Sequence, residues 1–155
     1  MSAKALVKRG AFILFEGCDR SGKSTQCAKL AERLTTDGVA VHAMRFPDRT
    51  TEIGKMINSY LGLQQELDDR AVHLLFSANR WEARTRILQL LEQGTSIICD
   101  RYTFSGVAFS SAKDGMDMEW CKAPDAGQFA TLLASRRAPR LRTAVPERHR
   151  CVAAV

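Results

Sequence analysis

With 155 residues, 45% of them hydrophobic, the chain has the material for one packed core and no room for a second domain. Its formal net charge of +6 is concentrated at one end: residues 1–127 carry 17 Lys/Arg against 16 Asp/Glu, whereas residues 128–155 carry six arginines, no lysine and one acid, Glu147. That distribution argues against a nucleic-acid footprint on the folded part, and the apolar stretch 11–15, ended by Glu16, is too short for a signal-peptide core or a membrane span.

A soluble intracellular protein is therefore expected. Cys18, Cys27, Cys99, Cys121 and Cys151 form no C-x-x-C pair. They read as reduced thiols of a cytosolic or nuclear chain and not as a disulfide frame or zinc site.

In chain order, residues 11–16 predict a first strand. It runs into Gly17-Cys18-Asp19-Arg20-Ser21-Gly22-Lys23-Ser24, which spells the phosphate-binding pattern G-x-x-x-x-G-K-S. Residues 22–36 then predict a helix, so the strand, loop and helix that this motif requires are all present. Glycines let consecutive N–H groups turn inward around phosphate oxygens, and the helix dipole adds positive potential. Lys23 is expected to reach the outer phosphates and Ser24 to ligate Mg2+.

Asp37-Gly38 turns the chain, residues 40–46 predict a second strand and 51–61 a short helix. Asp68 places an acid at the start of a longer helix running toward Leu91, ended by Gln93-Gly94. Residues 95–100 predict a third strand and 103–113 another helix. The order βαβααβα implies an α/β fold with a parallel sheet covered on both faces.

Three constellations narrow the chemistry. Asp100-Arg101-Tyr102 lies at the carboxyl end of the third strand, where open α/β sheets bind ligands; the acid suits Mg2+ held through water and Arg101 suits phosphate oxygens. Phe76 and Arg80 are four apart on a helix, a ring and a donor on one face that suit a planar base. Arg45-Phe46-Pro47-Asp48-Arg49 brings an aromatic and guanidinium groups to the same sheet edge. His73 reads as a surface or packing residue.

The segments FEGCDRSGKSTQ, RFPDRTTEIG, VHLLFSANRWE, DRYTFSGVAF and WCKAPDAG, spread over about residues 8–127, closely resemble eukaryotic-type thymidylate kinases. The resemblance implies a three-layer P-loop kinase fold, Mg-ATP as phosphoryl donor, dTMP as acceptor, a homodimer, and a cytoplasmic setting with nucleus or mitochondrion as alternatives. No specific nucleic acid and no membrane would be partners. Gly17, Ser21, Gly22, Lys23, Ser24 and Thr25 would hold ATP, with Arg20 touching the transferred phosphate. Asp19 would receive the deoxyribose 3′-hydroxyl, Phe76 would stack on thymine and Arg80 would bond its carbonyl edge. Arg49 and Arg101 would grip the monophosphate, and Phe46, Ser105, Gly106 and Phe109 would line the substrate side. Catalysis would rest on Arg20, Lys23, Asp100 and Arg101, and Mg2+ on Ser24 and Asp100.

After Pro124-Asp125 the chain departs from that family's text. The family's fourth and fifth strands and its lid are expected to be missing, leaving one edge of the first strand unpaired. Residues 128–155 are expected to form an Arg/Ala-rich tail, with a possible helical turn at 129–134 and disorder from Arg136 onward. Other readings follow from that departure: a non-catalytic variant that binds nucleotide or the full-length kinase, and another small P-loop kinase.

Overall fold

The structure, a computed structural model, describes residues 8–134, 143–144 and 152–154. The chain runs β1 (Phe12–Glu16), α1 (Lys23–Thr36), β2 (Val41–Arg45), α2 (Glu52–Leu61), α3 (Asp69–Glu92), β3 (Ser96–Asp100), α4 (Thr103–Ser111), α5 (Met118–Ala134), β4 (Thr143–Ala144) and β5 (Val152–Ala154). The first seven elements follow the expected order, with ends shifted by one or two residues. Asp68 is the N-cap of α3, accepting from the amides of Arg70 (2.9 Å) and Ala71 (3.4 Å). Gly94, at φ 86°, turns the chain out of α3 into β3.

The sheet order is β2-β3-β1-β5-β4. β3 lies between two parallel neighbours and is buried at all five positions, which its β-branched and apolar sequence permits. Leu14, Ile97 and Cys99 from the sheet pack with Ile87 and Leu91 of α3 and with Phe46 and Tyr102. Tyr102 is edge-on to both Phe12 and Phe46, at centroid distances of 5.4 and 5.2 Å. No described helix is long and apolar enough to cross a membrane.

Two expectations about the far end of the chain are corrected. The second edge of β1 is paired: β5 runs antiparallel to it, with Leu14 opposite Ala154, Phe15 opposite Ala153 and Glu16 opposite Val152. The short apolar run 152–154 supplies amides and carbonyls to an edge that would otherwise present them unpaired. The tail is thus not without structure at 143–144 and 152–154, whereas residues 135–142, 145–151 and 155 lie outside those described. Among the described residues no further parallel strand joins β1, in keeping with the expected loss of the family's later strands.

The second correction is α5, which continues through the compositional break at Gly127 and contains Pro124. A proline inside a helix costs about 3 kcal/mol because a hydrogen bond is lost and the ring crowds the preceding turn. Tertiary contacts around it offset that cost. The Trp81 indole N–H donates to the Pro124 carbonyl (2.8 Å), and Asp125 is bound by two side chains of α3.

His73 joins the three helices α3, α4 and α5. Its Nε2 lies 2.9 Å from the Cys121 carbonyl, which can only accept, so the neutral ring carries its proton there and Nδ1 accepts from the Ser110 hydroxyl at 2.8 Å. Burial holds its pKa below the usual histidine value, with Arg80 acting in the same direction and the Cys121 carbonyl and Asp125 opposing. The folded state therefore binds this proton less readily than the unfolded chain. The part of the stability linked to His73 is present above about pH 6.5, the unfolded value, and is lost as pH drops below it. Urea midpoints between pH 7.5 and 5.5 are expected to fall more steeply for the wild type than for His73→Gln.

Candidate active site

β1 and β3 are adjacent and in register, with Phe15 opposite Asp100, so the loop after β1 and the turn after β3 emerge side by side. Gly22 sits at φ 85°, a conformation that glycine adopts without strain, and forms the N-cap of α1 with no side-chain cap bond. The first-turn amides of α1 thus face the loop without competition from a capping side chain. Lys23 is buried, and its ammonium group donates to the Cys18 carbonyl and to Ser21 Oγ (3.2 Å). Arg20 is exposed at φ 60°, and Gly17 lies at φ 146°. Thr25 follows Ser24 in the first turn of α1 and is exposed.

Ser24 Oγ donates to Asp100 Oδ2 at 2.5 Å, and Arg45 Nε stands 4.0 Å from the same oxygen. Asp100 is buried, and its Oδ1 has no hydrogen-bond partner. A hydroxyl and a carboxylate with an unsatisfied oxygen are hard donors of the kind Mg2+ takes. Among the described residues no cluster of three or more His, Cys, Asp or Glu could hold a metal. That donor set fits a Mg2+ that keeps waters and arrives with nucleotide phosphate, and does not fit an all-protein cage.

Arg101 turns the chain at φ 68°, an uncommon conformation for a residue with a side chain. Its amide donates to the Phe15 carbonyl (2.9 Å), tying the turn to the end of β1. From that position Nη1 donates to Ser105 Oγ (2.9 Å), Nη2 meets Asp19 Oδ1 (2.5 Å), and the guanidinium carbon stands 5.4 Å from the centroid of the Phe109 ring. Asp19, from the phosphate loop, is thereby drawn toward α4.

Arg80 is 2% exposed and forms a two-pronged pair with Asp125: Nε to Oδ1 at 3.1 Å and Nη2 to Oδ2 at 2.5 Å. Ser77 donates to the same Oδ1 at 2.9 Å. Gly106 lies against the guanidinium, and a Cβ placed there would stand 3.0 Å from Nη1.

A cleft of about 390 Å³ opens between α2, α3 and α4, beside the turn after β2. Every residue that the resemblance implied for substrate lines it: Asp19, Phe46, Arg49, Phe76, Arg80, Arg101, Ser105, Gly106 and Phe109. Phe46 also belongs to the core, so it contributes a wall and not a mobile ring. Arg49 and Phe109 are exposed, and Phe76 is half-buried. Tyr60 and Lys113 also line it, and Lys113 Nζ donates to Tyr60 Oη (3.0 Å) and to Asp69; these bonds raise its pKa, Asp69 contributing most.

Sequence reasoning missed two site residues. Asp125 appeared only as part of a matching segment, and nothing local marks it as the partner of Arg80. Glu16 was read as the end of β1. It is a buried carboxylate whose Oε1 accepts from the amides of Tyr102 (2.8 Å) and Ser105 (3.3 Å) and whose Oε2 accepts from the Ser105 hydroxyl. Its signal was an acid between an apolar strand and a phosphate loop, where burial is hard to avoid.

A phosphate loop on β1, an acid at the end of β3 and a cleft that reaches the loop at Asp19 define an α/β protein of the P-loop class. The family model for thymidylate kinase matches residues 15–140. Curated thymidylate kinases of Arabidopsis thaliana and Danio rerio are 58% identical over 122 residues and 56% identical over 120 residues; these alignments span 79% and 77% of this chain and 46% and 57% of the relatives. A solved thymidylate kinase from Candida albicans is 46% identical at a TM-score of 0.69, covering 76% of this chain and 57% of that one. The chain belongs to the thymidylate kinase family, and it spans about half the length of the curated relatives it matches.

Removing one member of a buried ion pair strands the other charge. Asp125→Ala is expected to destabilise the fold by about 3–5 kcal/mol, measured as a lowered urea midpoint at pH 7.5.

Proposed function

We propose that this chain carries the phosphate loop and the monophosphate cleft of a thymidylate kinase and that its reaction is transfer of the γ-phosphoryl group of ATP to dTMP, giving dTDP and ADP. The observation that carries this reading is the single cleft that collects all nine expected substrate residues, with its Asp19–Arg101 end reaching the phosphate loop.

Phosphoryl transfer asks little covalent chemistry of a protein, so positioning and charge neutralisation supply most of the rate. The uncapped start of α1 and the loop amides receive the triphosphate, and the Lys23 ammonium exchanges its bonds to Cys18 and Ser21 for phosphate oxygens. Arg101 and Arg49 take the acceptor phosphate, and Asp19 the sugar 3′-hydroxyl. Phe76 supplies a stacking face for thymine. Arg80, clamped by Asp125 at Nε and Nη2, presents its remaining edge to the base carbonyl. Arg20, exposed beside the loop, is free to reach the phosphate being transferred. A Mg2+ held by Ser24, with Asp100 behind it, would supply further positive charge at the phosphates. A homodimer in a cytoplasmic setting, with nucleus or mitochondrion as alternatives, is the state this reading implies.

A coupled ADP-release assay with Mg-ATP and dTMP is expected to show turnover that needs both substrates and drops at least about a hundredfold in Lys23→Ala, a loss typical for a group that stabilises developing charge. dTMP binding without turnover would instead make the chain a nucleotide-binding relative that does not catalyse, and absence of both would overturn the reading.

A further inference from the structure

Glu16 and Arg101 are linked through a single side chain. Glu16 Oε2 accepts the proton of the Ser105 hydroxyl, and a lone pair of that hydroxyl accepts from Arg101 Nη1 at 2.9 Å. The other end of the guanidinium, Nη2, meets Asp19. An ionised carboxylate only accepts hydrogen bonds, so Glu16 fixes the direction of the relay: the Ser105 proton points toward β1 and its lone pair toward Arg101. Through Oε1 the same carboxylate holds the amides of Tyr102 and Ser105, the N-cap and third residue of α4. One buried side chain at the end of β1 thus sets both where α4 begins and how the Arg101 fork is turned.

We propose that Glu16 is a positioning residue for the acceptor monophosphate: acting through Ser105, it holds the Arg101 guanidinium beside the phosphate loop, in the orientation that receives a phosphate dianion. The inference rests on the functional reading above. Arg101 is at φ 68°, and its side chain rises from a turn whose backbone alone does not select a rotamer. Ser105 fixes one Nη group, so a planar fork has its second Nη group directed. In Glu16→Gln the amide oxygen still accepts from the two α4 amides, but the amide nitrogen faces Ser105 as a donor. The serine proton then turns away, and a negative charge near the guanidinium is lost. Ser105→Ala cuts the same relay at its middle while leaving the bonds of Glu16 to the Tyr102 and Ser105 amides in place.

The test compares dTMP with thymidine, which lacks the phosphate, by isothermal titration calorimetry on the wild type, Glu16→Gln and Ser105→Ala. The expected result is a dTMP dissociation constant raised about tenfold or more in each variant, the loss of one charge-assisted contact, with thymidine affinity unchanged within about twofold in Glu16→Gln and weakened by a clearly smaller factor than that of dTMP in Ser105→Ala, whose side chain itself lines the cleft. Equal weakening of both ligands would show a merely structural role and overturn the proposal, as would unchanged dTMP affinity. Should Glu16→Gln not fold, Ser105→Ala decides by the same criterion. Should the wild type bind neither ligand, the substrate reading falls. Side-chain NMR of 15N-arginine protein then judges the positioning by itself: a restrained Arg101 guanidinium signal that sharpens into free rotation in Ser105→Ala supports it, and an unchanged signal overturns it.

Discussion

The parallel pairing of β1 with β3 is the constraint from which the rest of the site follows. Register places Phe15 opposite Asp100, and the Arg101 amide closes the ladder on the Phe15 carbonyl. Two chain segments more than eighty residues apart therefore leave the sheet at the same edge. One becomes the phosphate loop and the other the Asp100-Arg101-Tyr102 turn. Burial of β3 on both faces makes this pairing hard to shift, because a slip by one residue would move every side chain to the opposite buried face, into space packed around a different one. Ser24 and Asp100 meet as a consequence, and so do Asp19 and Arg101.

The cleft opposite the loop is built on a different principle, with charge buried among helices. Arg80 and Asp125 lose hydration together, and only their two-pronged geometry, with Ser77 as a third partner, makes that tolerable. Rigidity comes with the burial. An arginine fixed by a carboxylate and backed by Gly106 has few rotamers left. The same pair anchors α5 to α3 and lets that helix accommodate Pro124. One contact in this way shapes a wall of the cleft and holds two helices together.

The sheet also shows how an abrupt change of sequence is absorbed. Beyond Gly127 the composition turns Arg- and Ala-rich, yet α5 persists to Ala134 and the stretch 152–154 pairs with β1. An edge of exposed amides and carbonyls accepts a strand of any side-chain identity that offers backbone groups at the right spacing. Antiparallel pairing needs no helical crossover, whereas a parallel neighbour does.

The sequence by itself determined the strand and helix order through Asp100, the phosphate loop and part of the cleft, since each rests on signals carried within a few residues: an apolar run, a glycine pattern, Asp68 at a helix start, Phe76 and Arg80 one turn apart. Matching segments in the right order added Asp19, Arg49, Ser105, Gly106 and Phe109 to the residues expected in the cleft, and all five line it. What only the tertiary structure decided are the partners: Asp125 for Arg80 across 45 residues, Glu16 for Ser105 across 89, and β5 for β1. The run through Pro124 and Gly127 reads locally as a break, whereas α5 runs through it with Asp125 and the Pro124 carbonyl held by α3. A carboxylate or a strand edge has many chemically equivalent partners along a chain. Which one it meets is set by how the layers pack, and that information is spread over the whole core.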